Sequence, residues 1–201
     1  MTLTTTRPAP YTFTVARKAM IDSQLRPSGV NDAQVLARMS TVAREEFVPE
    51  ATRGAAYMDR AVPLGNGAFL AAPVFHGLML ENAALASSDE VLIVDGGSGY
   101  LPELVRPMVA KTTVRSAQEA AEKSGRARFT AILVDGAIEQ VPASLVKQLD
   151  ENGRILSGIV TNGVTRLASG RRIGNDVAML PILEMGIPHL SEFDIPVKWS
   201  F

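Results

Sequence analysis

The sequence predicts an α/β fold: a doubly wound, mostly parallel sheet preceded by a helical segment. Two short apolar runs, residues 91–94 and 129–134, are typical of strands that are covered on both faces. Helical patterns alternate with these runs, and such alternation requires crossover helices over a parallel sheet. Sheets of this kind bind ligands at the carboxyl ends of their strands, so we expect a functional site there.

Residues 15–86 are expected to form a helical N-terminal part. A first helix over 15–25 ends just ahead of a proline, which disfavours helical backbone in the residue before it. A second helix starts at Asn31, whose side chain can accept a backbone N–H bond. Proline and glycine break any periodicity over 57–67, so this segment is predicted to be turns. A largely apolar third helix, over 74–85, is expected to be buried.

Residues 90–201 are expected to form the core with the parallel sheet. An antiparallel pair, 164–168 and 177–183, should close one edge of the sheet after a turn at Ser169 and Gly170. The remaining predicted elements are strands over 90–94, 112–115, 129–134 and 154–160 and helices over 101–109, 117–124 and 143–149.

Length and composition exclude several classes of protein. The 201 residues fit one domain, which we place over 1–201 with the two parts described above. With 20% charged residues and a formal charge of −1, the chain offers no basic surface for nucleic acid or anionic membrane. It has no cysteine and two histidines, so we expect no metal site. No signal or membrane-spanning pattern is recognisable, and a cytoplasmic location is predicted. The sequence leaves the oligomeric state open.

A glycine-rich turn directly follows the first buried strand. It reads Asp95-Gly96-Gly97-Ser98-Gly99-Tyr100, and glycines there let main-chain N–H groups approach a ligand closely. The alternative is that these glycines only make a tight turn between strand and helix. The spacing differs from Gly-x-Gly-x-x-Gly, so a dinucleotide site is not indicated.

Several separate stretches carry a family resemblance that extends over most of the chain. The matching stretches are residues 20–25, Asp32 with 35–36 and Met39, 42–49, 56–59, 62–67, 91–92 through 98–100, 131–137, 141–142, 148–149 and 152–155. On these residues the chain resembles the protein-L-isoaspartate O-methyltransferases. The resemblance implies a Rossmann-like methyltransferase fold. It also implies S-adenosylmethionine as the methyl donor and isoaspartyl residues of damaged proteins or peptides as acceptors.

Carried over residue by residue, the resemblance assigns cofactor binding to the glycine-rich turn and to one later aspartate. These residues are Asp95, Gly96, Gly97, Ser98, Gly99, Tyr100 and Asp135. No catalytic residue is assigned, because the hydroxyl-bearing Thr-Ile-Ser run of the family is Phe69-Leu70-Ala71 here. Asp95 replaces a glycine of the family's turn. The family's ribose-binding acid should lie near Ala117, but residues 113–117 contain no acid, and Glu119 is the nearest candidate.

These departures leave a second hypothesis open, in which the chain is a non-catalytic homologue that binds a ligand or a protein partner. Individual residues also have alternative interpretations. Asp95 either caps the following helix or contacts a ligand, and capping is favoured two to one. Asp135 either faces a ligand or is a solvated loop residue. His76 is expected to be a core histidine, and His189 a surface residue.

Overall fold

The structure, a computed structural model, describes residues 10–122 and 125–196. Its helices are α1 (Pro10–Met20), α2 (Ala33–Thr41), α3 (Pro73–Ala83), α4 (Tyr100–Val105), α5 (Ala117–Glu122) and α6 (Ala143–Val146). Its strands are β1 (Val62–Gly65), β2 (Ala68–Leu70), β3 (Glu90–Asp95), β4 (Lys111–Ser116), β5 (Phe129–Ile138), β6 (Leu149–Thr161), β7 (Val164–Ile173) and β8 (Asp176–Glu184). The last two residues of the predicted helix 117–124 lie outside the described residues.

The central sheet has six strands in the order β4-β3-β5-β6-β7-β8. The first four are mutually parallel, and β7 and β8 are antiparallel additions at one edge. This is the predicted Rossmann-like architecture with an antiparallel C-terminal edge. At the other edge β4 pairs only with β3, and β4 connects to β5 through α5 and a short segment without another strand among the described residues.

The apolar run of β3 is buried because both faces of the sheet are covered. Val91 and Ile93 pack into a core with the N-terminal helices, α3 and α4. Leu92 and Val94 point to the opposite face and pack with α5, α6 and Phe193. Alternate residues of one strand therefore belong to different cores, which explains why the run is continuously apolar.

The N-terminal part contains two departures from the sequence-based expectations. Asp32, rather than Asn31, caps α2, because its carboxylate accepts the N–H groups of Gln34 and Val35. The segment expected to be turns contains the antiparallel hairpin β1–β2, with a β-bulge between Pro63 and Gly65. Proline is tolerated because this hairpin has two edge strands and no central one.

The C-terminal half also differs in detail. Strand β7 continues through Ser169 and Gly170, and the chain reverses instead between Ile173 and Asp176. Strand β5 extends four residues beyond the predicted end at Val134, so Asp135 lies within a strand. Within the described ranges, none of the helices has the length and apolarity needed to span a membrane.

Candidate functional site

The glycine-rich turn lies at the carboxyl end of β3, as expected. Gly97 and Gly99 have φ angles of +102° and +70°, a region that residues with a side chain rarely adopt. Gly96 packs directly on β5, where a Cβ atom would lie 2.3 Å from the backbone oxygen of Asp135. The turn is therefore held tightly against the neighbouring strand, and a larger residue at position 96 would displace it.

Asp95 stabilises this turn from within. Its carboxylate oxygens accept the N–H of Gly99 at 3.0 and 3.3 Å, and the amide of Gly97 also stabilises the carboxylate. Burial raises the pKa of Asp95, and the charge of Asp135 raises it further, while the two amides act in the opposite direction. Gly99 is the N-cap residue of α4, so the predicted role of Asp95 as a helix cap is wrong. Asp95 closes the turn ahead of the helix instead, and ligand contact stays a prediction.

Ser98 links the turn to Asp135. Its hydroxyl donates to Oδ2 of Asp135 at 3.4 Å and accepts the N–H of Tyr100 at 3.1 Å. Asp135 is only 3% exposed, so the interpretation of this residue as a solvated loop aspartate is wrong. Extension of β5 and contact with α3 place its side chain in the interior.

His76 from α3 is the main partner of Asp135. Its Nε2 lies 2.8 Å from Oδ1 of Asp135, and its Nδ1 lies 3.3 Å from Nη1 of Arg44. Because a guanidinium can only donate, Nδ1 is the acceptor and Nε2 carries the hydrogen that is donated to Asp135. The prediction of a buried core histidine is confirmed. Its partners form a hydrogen-bond network that extends from Arg44 through His76 and Asp135 to the glycine-rich turn.

Arg44 is fully buried and is the last residue of this hydrogen-bond network. It donates to the carbonyl oxygens of Ala56 at 2.8 Å and Ala71 at 2.7 Å, and its guanidinium carbon lies 4.7 Å from the ring centre of Tyr100. Burial lowers the pKa of Arg44. Sequence reasoning missed this residue, because Arg44 stands beside two glutamates in a run that resembles a solvated surface.

A cavity of about 370 Å³ opens beside the turn, and we call it the loop cavity. This volume is within the range of small-molecule sites. Its walls are the tip of the β1–β2 hairpin, the glycine-rich turn, the end of β4, the start of α5 and residues 189–192 of a C-terminal segment. The described lining residues are Asn66, Gly67, Ala68, Asp95, Gly96, Gly97, Ser116, Ala117, Gln118, His189, Leu190, Ser191 and Glu192.

Comparisons with known proteins agree with this geometry. The family model described as protein-L-isoaspartate(D-aspartate) O-methyltransferase (PCMT) matches residues 15–126. The protein-L-isoaspartate O-methyltransferase of Roseiflexus castenholzii is 32% identical over 85% of this chain and 93% of its own length. That of Gloeobacter violaceus is 34% identical over 71% of this chain and 82% of its own length. The chain belongs to the protein-L-isoaspartate O-methyltransferase family.

A solved structure supports the fold of this family member. It is a Plasmodium falciparum protein assigned as a protein-L-isoaspartate O-methyltransferase, in complex with S-adenosyl-L-homocysteine. Its chain superposes with a TM-score of 0.67 at 19% identity, over 90% of this chain and 98% of its own. The Rossmann-like methyltransferase fold expected from the sequence is confirmed.

The residues that replace the family's Thr-Ile-Ser run have two different environments. Leu70 and Ala71 are buried, whereas Phe69 is 39% exposed and lines a second cavity of about 400 Å³. We call it the hairpin cavity, because Phe69 of the β1–β2 hairpin lines it. Strand β2 and the C-terminal segment, residues 185–192, border both this cavity and the loop cavity. Asp59, Arg60 and Ile187 are among its other lining residues. No side-chain hydroxyl is available at Ala71.

Glu119, the nearest acid to the family's ribose-binding position, is engaged at the start of α5. Its carboxylate accepts the N–H of Ser116 at 3.3 Å, and the Ser116 hydroxyl accepts the N–H of Glu119 at 3.2 Å. This reciprocal pair is a capping box. His189, expected at the surface, is about 41% exposed in its side chain and lies 2.7 Å from Asp194.

Proposed function

We propose that this protein transfers a methyl group from S-adenosylmethionine to the carboxylate of isoaspartyl residues in damaged proteins or peptides. The observation that carries the proposal is the loop cavity, which lies at the carboxyl ends of β3 and β4 beside the glycine-rich turn. This is the position at which open α/β sheets bind their ligands. Membership of the protein-L-isoaspartate O-methyltransferase family supplies the reaction class.

The predicted cofactor residues divide into two groups in this proposal. Asp95, Gly96 and Gly97 line the loop cavity and could contact the nucleoside directly. Ser98, Gly99, Tyr100 and Asp135 would instead hold the turn in shape, since Tyr100 and Asp135 are buried and Ser98 joins them by hydrogen bonds. When bound, S-adenosylmethionine would supply an activated methyl group.

The acceptor would enter through the hairpin cavity. Arg60 lines this cavity, and its side chain has no hydrogen-bond or ion-pair partner in the described part of the chain. It could bind the acceptor carboxylate beside the apolar side chains of Phe69, Ala72 and Ile187. The acid of the same lining, Asp59, accepts the N–H of Val74. In the transfer, a carboxylate oxygen forms a bond to the methyl carbon while the carbon–sulfur bond breaks, which gives a methyl ester and S-adenosylhomocysteine. With alanine at position 71, the chain's contribution is positioning of the two reactants.

Three sequence-based expectations stay proposals alongside this function. We propose that residues 15–86 and 90–201 form one domain, which is supported by a core that extends from Met20 to Ile187. The balanced charge of −1 supports the absence of nucleic-acid and membrane partners. The cytoplasmic location is likewise a prediction.

The test is transfer of labelled methyl groups from S-adenosylmethionine to an isoaspartyl peptide, with the aspartyl peptide of the same sequence as the matched control. We expect incorporation only into the isoaspartyl peptide. Arg60→Ala should raise the KM for the peptide, because it removes the carboxylate partner. Absence of incorporation at high protein concentration, with cofactor binding intact, would refute the activity and support the non-catalytic hypothesis.

A further inference from the structure

The amides of the glycine-rich turn already have an anionic partner. Both oxygens of Asp95 accept the Gly99 N–H, and the amide of Gly97 faces the same carboxylate. Where the family has a glycine, these amides would be open to an external acceptor. Here the Asp95 carboxylate accepts these amides, so they are not open to an acidic group of a ligand.

The charges around the loop cavity are also unfavourable for an anion. Asp95 and Glu192 line it, and the negative charge of Asp135 acts on Asp95 from the protein interior. Its described lining residues include neither lysine nor arginine. His189 lines the cavity as well, but its Nε2 is paired with Asp194. A ligand carboxylate would therefore meet carboxylates without a cation to balance it.

We propose that the loop cavity selects S-adenosyl ligands by charge and prefers a cationic nucleoside without a free carboxylate, such as decarboxylated S-adenosylmethionine, to S-adenosylmethionine itself. The inference rests on the proposed function only in taking the loop cavity as the nucleoside site. It makes Asp95 a specificity-determining residue that disfavours the amino-acid carboxylate of the ligand and favours its cationic groups.

The expected size of the preference follows from Coulomb's law. A unit charge about 6–8 Å from a carboxylate at a partly solvated site changes affinity by roughly tenfold or more. We therefore expect decarboxylated S-adenosylmethionine to bind at least about tenfold more tightly than S-adenosylmethionine. The same argument predicts that decarboxylated S-adenosylhomocysteine, which differs from S-adenosylhomocysteine only by loss of the carboxylate, binds more tightly than S-adenosylhomocysteine.

The experiment is calorimetric titration of the full chain with these four ligands at pH 7.5 and low salt. Asp95→Asn keeps an oxygen that can accept the turn amides but removes the charge, so it should reduce the preference to less than about threefold. Asp22→Asn is the matched control, because Asp22 is an exposed aspartate on the N-terminal helical segment. It pairs with Arg26 at 3.9 Å, and its substitution should leave the preference unchanged. Thermal unfolding of each variant checks that it is folded.

The outcomes separate this inference from the proposed function. Equal affinities for the ligands with and without the carboxylate, or tighter binding of S-adenosylmethionine, would overturn the charge selection and leave the nucleoside site intact. A preference that survives in Asp95→Asn would overturn the role of Asp95. Absence of binding by all four ligands would overturn both the inference and the proposed cofactor.

Discussion

Replacement of His76 by leucine should destabilise the protein severely. His76 is fully buried and joins Asp135 at 2.8 Å to Arg44 at 3.3 Å. Leucine fills a similar volume but offers no donor and no acceptor. Among the described residues, the Asp135 carboxylate would then keep the Ser98 hydroxyl at 3.4 Å as its one side-chain donor, and one N–H of Arg44 would lose its acceptor.

Removal of one member of such a buried hydrogen-bond network costs about 3–5 kcal/mol of the free energy of unfolding. For a chain of this length each kcal/mol lowers the melting temperature by about 2–4 °C, so His76→Leu should lower it by about 6–20 °C. Urea unfolding followed by circular dichroism measures the free energy, and a thermal scan measures the melting temperature. The double variant His76→Leu/Asp135→Ala should cost less than the sum of the single variants by about 0.5–3 kcal/mol, because the two side chains interact.

The chain's other histidine provides the matched control. His189 also pairs with an aspartate, at 2.7 Å, but both side chains of that pair are more than a third exposed. His189→Leu should therefore cost less than about 1 kcal/mol. A cost below about 1 kcal/mol for His76→Leu as well would refute the buried hydrogen-bond network from Arg44 to the turn. Full additivity of the unfolding free-energy changes of His76→Leu and Asp135→Ala would also refute it.

Three other substitutions test single contacts. In thermal unfolding, Asp95→Asn should raise the melting temperature at pH 7, because the raised pKa of Asp95 makes its ionised form costly in the folded state. The gain in melting temperature should shrink as the pH falls through the folded pKa and vanish below the unfolded value of about 3.9. A gain that does not change with pH would contradict this. Gly96→Ala should lower the melting temperature, since its Cβ would meet a backbone oxygen at 2.3 Å, whereas Gly54→Ala has nothing within 4 Å and should be neutral. Asp32→Ala should cost about 1 kcal/mol in urea unfolding and Asn31→Ala less than half of that, and the reverse order would restore Asn31 as the cap.

Most of the fold could be predicted because its strands carry strong local signals. The apolar run of β3 is unambiguous, since each face of the sheet has its own core and both demand apolar residues. The hairpin β1–β2 was missed for the opposite reason. Pro63 and Gly65 interrupt its pattern, and a small sheet with two edge strands tolerates both.

The site was less predictable, because its defining contacts join residues far apart in the chain. The glycines of the turn were found from local spacing, but the environment of Asp135 depends on His76, and that of His76 on Arg44. Arg44 is adjacent to Glu45 in a charged run, and nothing local distinguishes it from a surface arginine. The C-terminal wall of the loop cavity, around His189, likewise follows from tertiary packing.

The most direct test of the account is whether an S-adenosyl nucleoside binds in the loop cavity. Titration of isotope-labelled protein with S-adenosylhomocysteine, followed through backbone amide resonances, locates the ligand on the sequence. We predict saturable shifts centred on Gly96, Gly97 and Gln118, which line the cavity. Absence of shifts at saturating ligand, or shifts centred on Arg128 and Arg172 at the distant surface cavity, would contradict the account.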